Sequence, residues 1–146
     1  NRLQHLGIAT PAPLAVVENR WCWLRGRAWL VTGYCGGQDI LTALHAWLDS
    51  PPPEKYLLAL DRLFAALLRE RISHGDLKGT NLMWDEAAGC WLLIDLDAMQ
   101  QHRRQRRFIA AYARDRARFL RNWPAGSALF MLLDKRIPQV PGTCPE

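Results

Sequence analysis

An apolar stripe through residues 57–72 stops abruptly at a polar loop, and this junction limits the folds open to the chain. The stripe recurs every three or four residues, which is the spacing of one face of an α-helix. Its members are Leu57, Leu60, Leu63, Phe64, Leu67, Leu68 and Ile72. The pattern predicts a core helix from Glu54 to Arg71. The polar loop at 73–80 should therefore be held by a rigid element.

Weaker patterns predict the other elements. Before the core helix, we expect a helix end at 1–6 closed by Gly7, antiparallel strands at 14–18 and 29–32 with a turn near 25–26, a flexible connection at 33–37 and a helix at 39–48. After it, we expect a hairpin with strands at 81–84 and 91–94, helices at 102–123 and 127–135, and a loose tail. Trp21, Trp23 and Trp29 are expected on a half-buried sheet rather than as base-stacking groups.

Composition places the chain among ordinary globular proteins. It is 49% hydrophobic and 23% charged, and no apolar run is long enough to cross a bilayer. The cysteines at positions 22, 35, 90 and 144 lack metal-ligand spacing, so buried or idle thiols and a reducing, cytoplasmic location are expected.

Positive charge is concentrated in residues 102–121, which hold eight arginines against one acid, Asp115. Phe108, Tyr112, Phe119 and Trp123 share one helical face there, and Arg103, Arg107, Arg114 and Arg118 share another. The aromatic face is predicted to pack in the core. A solvated surface is the simplest interpretation of the arginine face. An anionic membrane surface is the next, and nucleic acid is the least favoured partner.

Two short motifs carry chemistry. His74-Gly75-Asp76-Leu77-Lys78-Gly79-Thr80-Asn81 follows the core helix, and Ile94-Asp95-Leu96-Asp97 ends the hairpin. Phosphoryl transfer needs an acceptor for the hydroxyl proton, a cation against phosphate charge, and oxygen ligands for Mg²⁺. Asp76 is the candidate base and Lys78 the candidate phosphate contact. Asn81 and Asp95 are candidate metal ligands, and His74 is expected to brace the loop.

These motifs resemble those of the bacterial lipopolysaccharide kinase (Kdo/WaaP, InaA-like) family. The resemblance implies ATP- and Mg²⁺-dependent phosphorylation of a lipopolysaccharide inner-core sugar, or of a related lipid-linked saccharide. It also implies work at the inner face of the cytoplasmic membrane. By this likeness Asp76 is the base, Lys78 contacts phosphate, and Asn81 and Asp95 bind the metal. Tyr34 and Cys35 would lie in the hinge that receives adenine.

The expected fold is α+β and protein-kinase-like, mainly the helical C-terminal lobe with a truncated N-lobe sheet. Residues 1–36 would be the N-lobe remnant, 37–136 the C-lobe and 137–146 a loose tail. The sequence has no glycine-rich phosphate loop and no strand lysine to clamp nucleotide. A fragment or a degenerate protein, with weak or no turnover alone, is therefore expected. Asp97 stands where protein kinases have the glycine of Asp-Phe-Gly, and it could join the metal site or pair with an arginine.

Other functions compete with this interpretation. Aminoglycoside- or choline-kinase-like enzymes share the fold and His-Gly-Asp, but they usually have His rather than Lys two residues after the Asp. Another small-molecule or protein kinase of the same fold is a broader alternative. A pseudokinase-like binding module is a third, although the motif residues are all present. The sequence names neither the sugar nor the oligomeric state.

Overall fold

The computed structural model describes residues 2–140, apart from the Arg25 side chain. The helices are α1 (Arg2–His5), α2 (Ile40–Leu44), α3 (Glu54–Glu70), α4 (Gln105–Leu120) and α5 (Ala128–Arg136). The strands are β1 (Pro13–Trp21), β2 (Leu24–Thr32), β3 (Ile72–Ser73), β4 (Leu82–Asp85), β5 (Cys90–Leu93) and β6 (Gln100–Gln101). Three two-stranded antiparallel sheets, β1–β2, β3–β6 and β4–β5, combine with the helices. The fold is α+β, as predicted.

Helix α3 is the centre of the core, as its apolar stripe predicted. Its buried Phe64 ring meets Tyr112 and Phe119 of α4 edge-on, with centroids 6.3 and 5.4 Å away. The helix ends because Arg71 adopts the left-handed conformation and its amide bonds back to the carbonyls of Leu67 and Leu68. The chain therefore leaves α3 in a fixed direction toward the polar loop.

The first hairpin differs from prediction in its turn. Strands β1 and β2 are nine residues each, and the turn lies at Cys22 and Trp23 rather than near residues 25–26. Gly26 instead lies inside β2, opposite a register shift between Glu18 and Arg20. A Cβ at Gly26 would lie 2.8 Å from the Asn19 carbonyl oxygen. Glycine here accommodates a bulge, which is the alternative role of an isolated glycine in a strand.

The prediction of a half-buried first sheet was wrong. Every residue of β1 is exposed, and Trp21 and Trp23 are 80% and 99% exposed. Within residues 2–140, no third strand pairs with this hairpin. Strand alternation predicts burial only when another element covers one face of the sheet. The prediction of half-buried strands assumed a covering element.

The second hairpin agrees with prediction to within a residue at each strand. Strands β4 and β5 pair from Leu82 with Leu93 to Asp85 with Cys90. Trp84 and Trp91 pack against each other with centroids 4.9 Å apart, and both are buried. The two-residue strands β3 and β6 were not predicted, because two residues carry no periodicity.

The C-terminal helices close the core. Helix α4 is shorter than predicted at both ends, and Phe108, Tyr112, Phe119 and Trp123 are all buried, as expected. The start of the predicted loose tail is packed: Ile137 is buried and the Tyr112 hydroxyl donates to the Pro138 carbonyl at 3.0 Å. Residues 141–146 of that tail lie outside the described part. In residues 2–140 no helix has the length and hydropathy to cross a membrane.

Candidate functional site

His74 fixes the beginning of the polar loop. Its side chain is fully buried; Nε2 lies 3.0 Å from the Ile94 carbonyl oxygen and Nδ1 lies 3.3 Å from the Asp76 amide. An amide can only donate, so Nδ1 accepts and Nε2 carries the proton given to Ile94. The imidazole thus ties the loop to the end of β5. This geometry fits the predicted bracing role.

Helix α4 and the turn that follows it hold the same loop through two side chains whose role was not predicted. The Asp115 carboxylate is 4% exposed and accepts from the His74 amide at 2.6 Å and from the Gly75 amide at 3.0 and 3.1 Å. The Asn122 side-chain oxygen accepts from the Gly79 amide at 3.2 Å. The loop is therefore anchored near both ends, by α4 at residues 74 and 75 and by the turn after α4 at residue 79.

A signal for Asp115 was present in the sequence. It lies three residues after Tyr112 and four before Phe119, which places it on the aromatic, buried face of α4. A carboxylate on a buried face needs donors, because an unpaired buried charge is very costly. Its partners are backbone amides, which no side-chain pattern reveals.

Glycine is required at two positions of the loop. Gly75 has φ of +84°, and a Cβ there would lie 2.7 Å from the Ala98 carbonyl oxygen. A Cβ at Gly79 would lie 2.3 Å from a methyl carbon of Leu41. The two glycines therefore let the loop pack against residue 98 on one side and α2 on the other.

Asp76 is held between two cations. Lys78 Nζ lies 3.0 Å from Asp76 Oδ2, and Arg118 Nη1 contacts Asp76 Oδ1. Hydrogen bonds from Lys78 first, and then from Arg118, hold the pKa of the Asp76 carboxyl below its usual range. The carboxylate is consequently ionised near neutral pH. Arg118 was expected on a solvated or membrane-facing surface, and its contact with Asp76 was not predicted.

Asn81 connects the segments that carry Asp76 and Asp95. Its side-chain Nδ2 donates to the backbone carbonyl of Asp76 at 2.9 Å, and its backbone carbonyl accepts from the Ile94 amide at 3.1 Å. Asp95 follows Ile94 directly and adopts a left-handed backbone with φ of 57°. Because Asn81 donates through its nitrogen, its side-chain oxygen is the atom that could face a cation.

The donor set at this junction suits Mg²⁺. An amide oxygen and a carboxylate are hard oxygen ligands, and Mg²⁺ keeps water and phosphate oxygens for its other positions. No cluster of three or more His, Cys, Asp or Glu side chains suited to a metal occurs in residues 2–140. A site with Asn81 and Asp95 as its protein ligands and with water and phosphate as the others is the arrangement that would fit this donor set. Asp97 is exposed and forms no ion pair within the same residues.

The predicted hinge residues, Tyr34 and Cys35, line a cavity that the other candidate site residues do not line. Tyr34 and Cys35 line a cavity of about 590 Å³ with Gly37, Trp84 and Asp85, among others. Burial, and then the charge of Asp85, raise the pKa of the Cys35 thiol. Tyr34 is 96% exposed. None of Asp76, Lys78, Asn81 and Asp95 lines this cavity.

A second concavity, the arginine cavity, lies against the loop and α4. It measures about 490 Å³, and its lining includes Arg114, Arg118, Arg121, Asp115 and His102. Of the four arginines expected to share a solvated or membrane-facing surface, Arg114 and Arg118 therefore face this cavity. The other two, Arg103 and Arg107, are exposed and do not line it.

Comparison with known families identifies the family of the chain. Residues 1–122 match the sequence model of the lipopolysaccharide kinase (Kdo/WaaP) family. The chain belongs to this family. The resemblance inferred from the two motifs is thereby confirmed, and with it the assignment to a family of kinases. No curated protein matches the chain.

As a Kdo/WaaP family member, the chain has its candidate site at the loop, the β4–β5 hairpin and α4. Asp76, Lys78 and Asn81 are brought together by direct contacts, and Asp95 joins them through the backbone of residue 94. The roles given to these residues stay predictions. So does the adenine site at Tyr34 and Cys35.

Proposed function

We propose that this chain transfers the γ-phosphate of ATP to a sugar hydroxyl of the lipopolysaccharide inner core, on heptose or Kdo. One observation carries the proposal: Asn81 is hydrogen-bonded to the backbone of both the Asp76 and the Asp95 segments. A proton acceptor and two metal-ligand candidates thus share one junction in a chain of a kinase family.

In this mechanism Asp76 orients the acceptor hydroxyl and takes its proton. The sugar oxygen forms a bond to the γ-phosphorus as the bond from phosphorus to the bridging oxygen breaks, and ADP leaves with the electrons of that bond. Lys78 balances charge on the transferred group. A carboxylate with a lowered pKa is a weak base, which suits a reaction in which positioning outweighs proton abstraction.

Asn81 and Asp95 would hold Mg²⁺, which when bound neutralises charge on the β- and γ-phosphate oxygens. Tyr34 and Cys35 would contribute backbone groups to the adenine. The acceptor of such an enzyme is a lipid-linked saccharide, so the proposal includes peripheral work at the inner face of the cytoplasmic membrane. Arg103 and Arg107 are exposed and would be the contacts with anionic lipid.

The test measures nucleotide binding and phosphate transfer separately. We expect Mg·ATP to raise the Tm of the full 146-residue chain, and ATP without Mg²⁺ to raise it much less. Asp95→Asn should remove most of the Mg²⁺-dependent increase. Asp76→Asn should keep it but abolish phosphate incorporation into purified inner-core oligosaccharide.

Asp49→Asn is the matched control, because Asp49 is exposed and forms no ion pair within residues 2–140. Incorporation of phosphate into aminoglycosides but not into core oligosaccharide would favour the aminoglycoside-kinase alternative over the proposed function. A chain whose Tm responds to neither ATP nor Mg²⁺ would be a binding module, and the proposed function would be wrong.

A further inference from the structure

The three arginines of the arginine cavity form one stripe along α4 and its C-terminal cap, Arg121. Arg114, Arg118 and Arg121 are spaced by four and then three residues, so their side chains leave the same face of the helix. Like charges at this spacing repel and cost helix stability. The cost is offset in part by the helix dipole, which favours cations in the last turn. An anion between the arginines would offset the rest.

Acidic partners do not supply that anion in the described chain. Within residues 2–140, Arg114 and Arg121 form no ion pair, while Arg116 pairs with Asp134 and Arg118 with Asp76. Asp115 also lines the cavity, but both of its oxygens accept hydrogen bonds from backbone amides. The cavity therefore faces solvent with an excess of positive charge.

The cavity has room for a ligand, and part of its lining is formed by small residues. Gly75, Ala98, Ala111 and Ala117 contribute to its lining. Its volume of about 490 Å³ lies within the range of small-molecule sites and exceeds what one monosaccharide needs.

Arg118 connects this cavity to the candidate base. It uses Nη1 on Asp76 and lines the cavity at the same time. A guanidinium carries five N–H donors, so one arginine can contact a carboxylate and a second anion together. A group bound by the arginine cavity is thus placed beside Asp76, where the proposed function puts the acceptor and not the nucleotide.

We propose that Arg114, Arg118 and Arg121 form an anion subsite that selects an acceptor sugar bearing a phosphate or carboxylate group next to the hydroxyl that is phosphorylated. The inference rests on the proposed function for the identity of the bound sugar as acceptor. The subsite itself is defined by charge and shape. Arginine suits such a subsite because its planar guanidinium can form two parallel hydrogen bonds to a phosphate or to a carboxylate.

The experiment is an NMR titration of the full chain with three sugars in low salt, without nucleotide or Mg²⁺. Glucose 6-phosphate tests the phosphate form, glucuronate tests the carboxylate form, and glucose is the neutral control. We expect at least one anionic sugar to shift the backbone amides of residues 114–121, and glucose to shift none. The stronger of the two anionic sugars identifies the preferred group. Inorganic phosphate should compete with it.

Arg114→Gln and Arg121→Gln should each weaken binding about tenfold, which is the effect expected for one charge-assisted hydrogen bond. Arg107→Gln is the matched control, because it removes the same charge from an exposed position of α4 outside the cavity. It should change the affinity less than twofold.

Two results would overturn the inference: equal binding of glucose and both anionic sugars, or an Arg107→Gln effect as large as that of Arg114→Gln. Either would show that the cavity is not a specific anion subsite. Since no nucleotide is present, this failure is distinct from loss of the Mg·ATP response, which would contradict the proposed function instead.

Discussion

Replacing Asp115 by asparagine should weaken the support of the loop at 73–80 without changing any residue proposed to act in phosphate transfer. The carboxylate accepts from two backbone amides, those of His74 and Gly75, and is almost fully buried. Asparagine keeps one acceptor oxygen, but its NH₂ group must face the second amide. One charge-assisted hydrogen bond is lost and one buried donor is left unpaired.

The magnitude follows from these two changes. A hydrogen bond to a charged group contributes about 1.5–3 kcal/mol, and an unsatisfied buried group costs about 1–3 kcal/mol. Because the two estimates describe overlapping parts of the same loss, we expect the free energy of unfolding to fall by about 3 kcal/mol. For a chain of this size that lowers the Tm by about 6–12 °C. Displacement of Asp76 should lower kcat by about 10- to 100-fold, since a shift of about 1 Å can have that effect.

The assay combines thermal unfolding with steady-state phosphate transfer. The KM for Mg·ATP should change less than about threefold, because Asp115 contacts the loop before Asp76 and not the Asn81–Asp95 junction. Asn122→Ala is a second variant, which removes the acceptor of the Gly79 amide and also the side-chain donor to the Phe119 and Arg118 carbonyls. An Asp115→Asn Tm within 1 °C of the parent, or an equal loss in Asp49→Asn, would refute the reasoning.

Two further predictions concern packing around the loop and core. Gly79→Ala should lower the free energy of unfolding by about 1–3 kcal/mol, because the added methyl overlaps the Leu41 side chain; chemical denaturation measures this, and an unchanged midpoint would contradict the close approach. Tyr112→Phe should lower the free energy of unfolding by about 1 kcal/mol, because the Pro138 carbonyl loses its hydroxyl donor. Pro138→Ala keeps that carbonyl, so the loss caused by Tyr112→Phe should be the same size in the Pro138→Ala background.

The sequence predicted those elements whose patterns are long or whose chemistry is local. The α3 stripe was sufficient because seven apolar residues at helical spacing leave little choice of buried face. The β4–β5 hairpin was predicted because its strands flank a turn-rich segment. Asp76 and Lys78 were selected together because they lie in one loop, but Lys78 was expected to contact phosphate, and its ion pair with Asp76 was not predicted.

What the sequence did not predict depends on distant parts of the chain. Arg118 contacts Asp76 across 42 positions, and Asp115 accepts from amides about 40 positions away. Helical periodicity places both residues on α4 but cannot say which loop packs against it. The exposure of the β1–β2 hairpin has a similar origin, because alternation of residue types does not reveal whether a covering element is present.

The anchoring of residues 74, 75 and 79 by α4 and the turn after it has a consequence for how this site could change over time. Connecting loops usually vary and move more than the helices they join, but here the loop amides can exchange with solvent only when the helix separates from them. A new acceptor preference obtained by altering the loop alone would break its anchors. Loop and helix should therefore be inherited, and engineered, as a single unit.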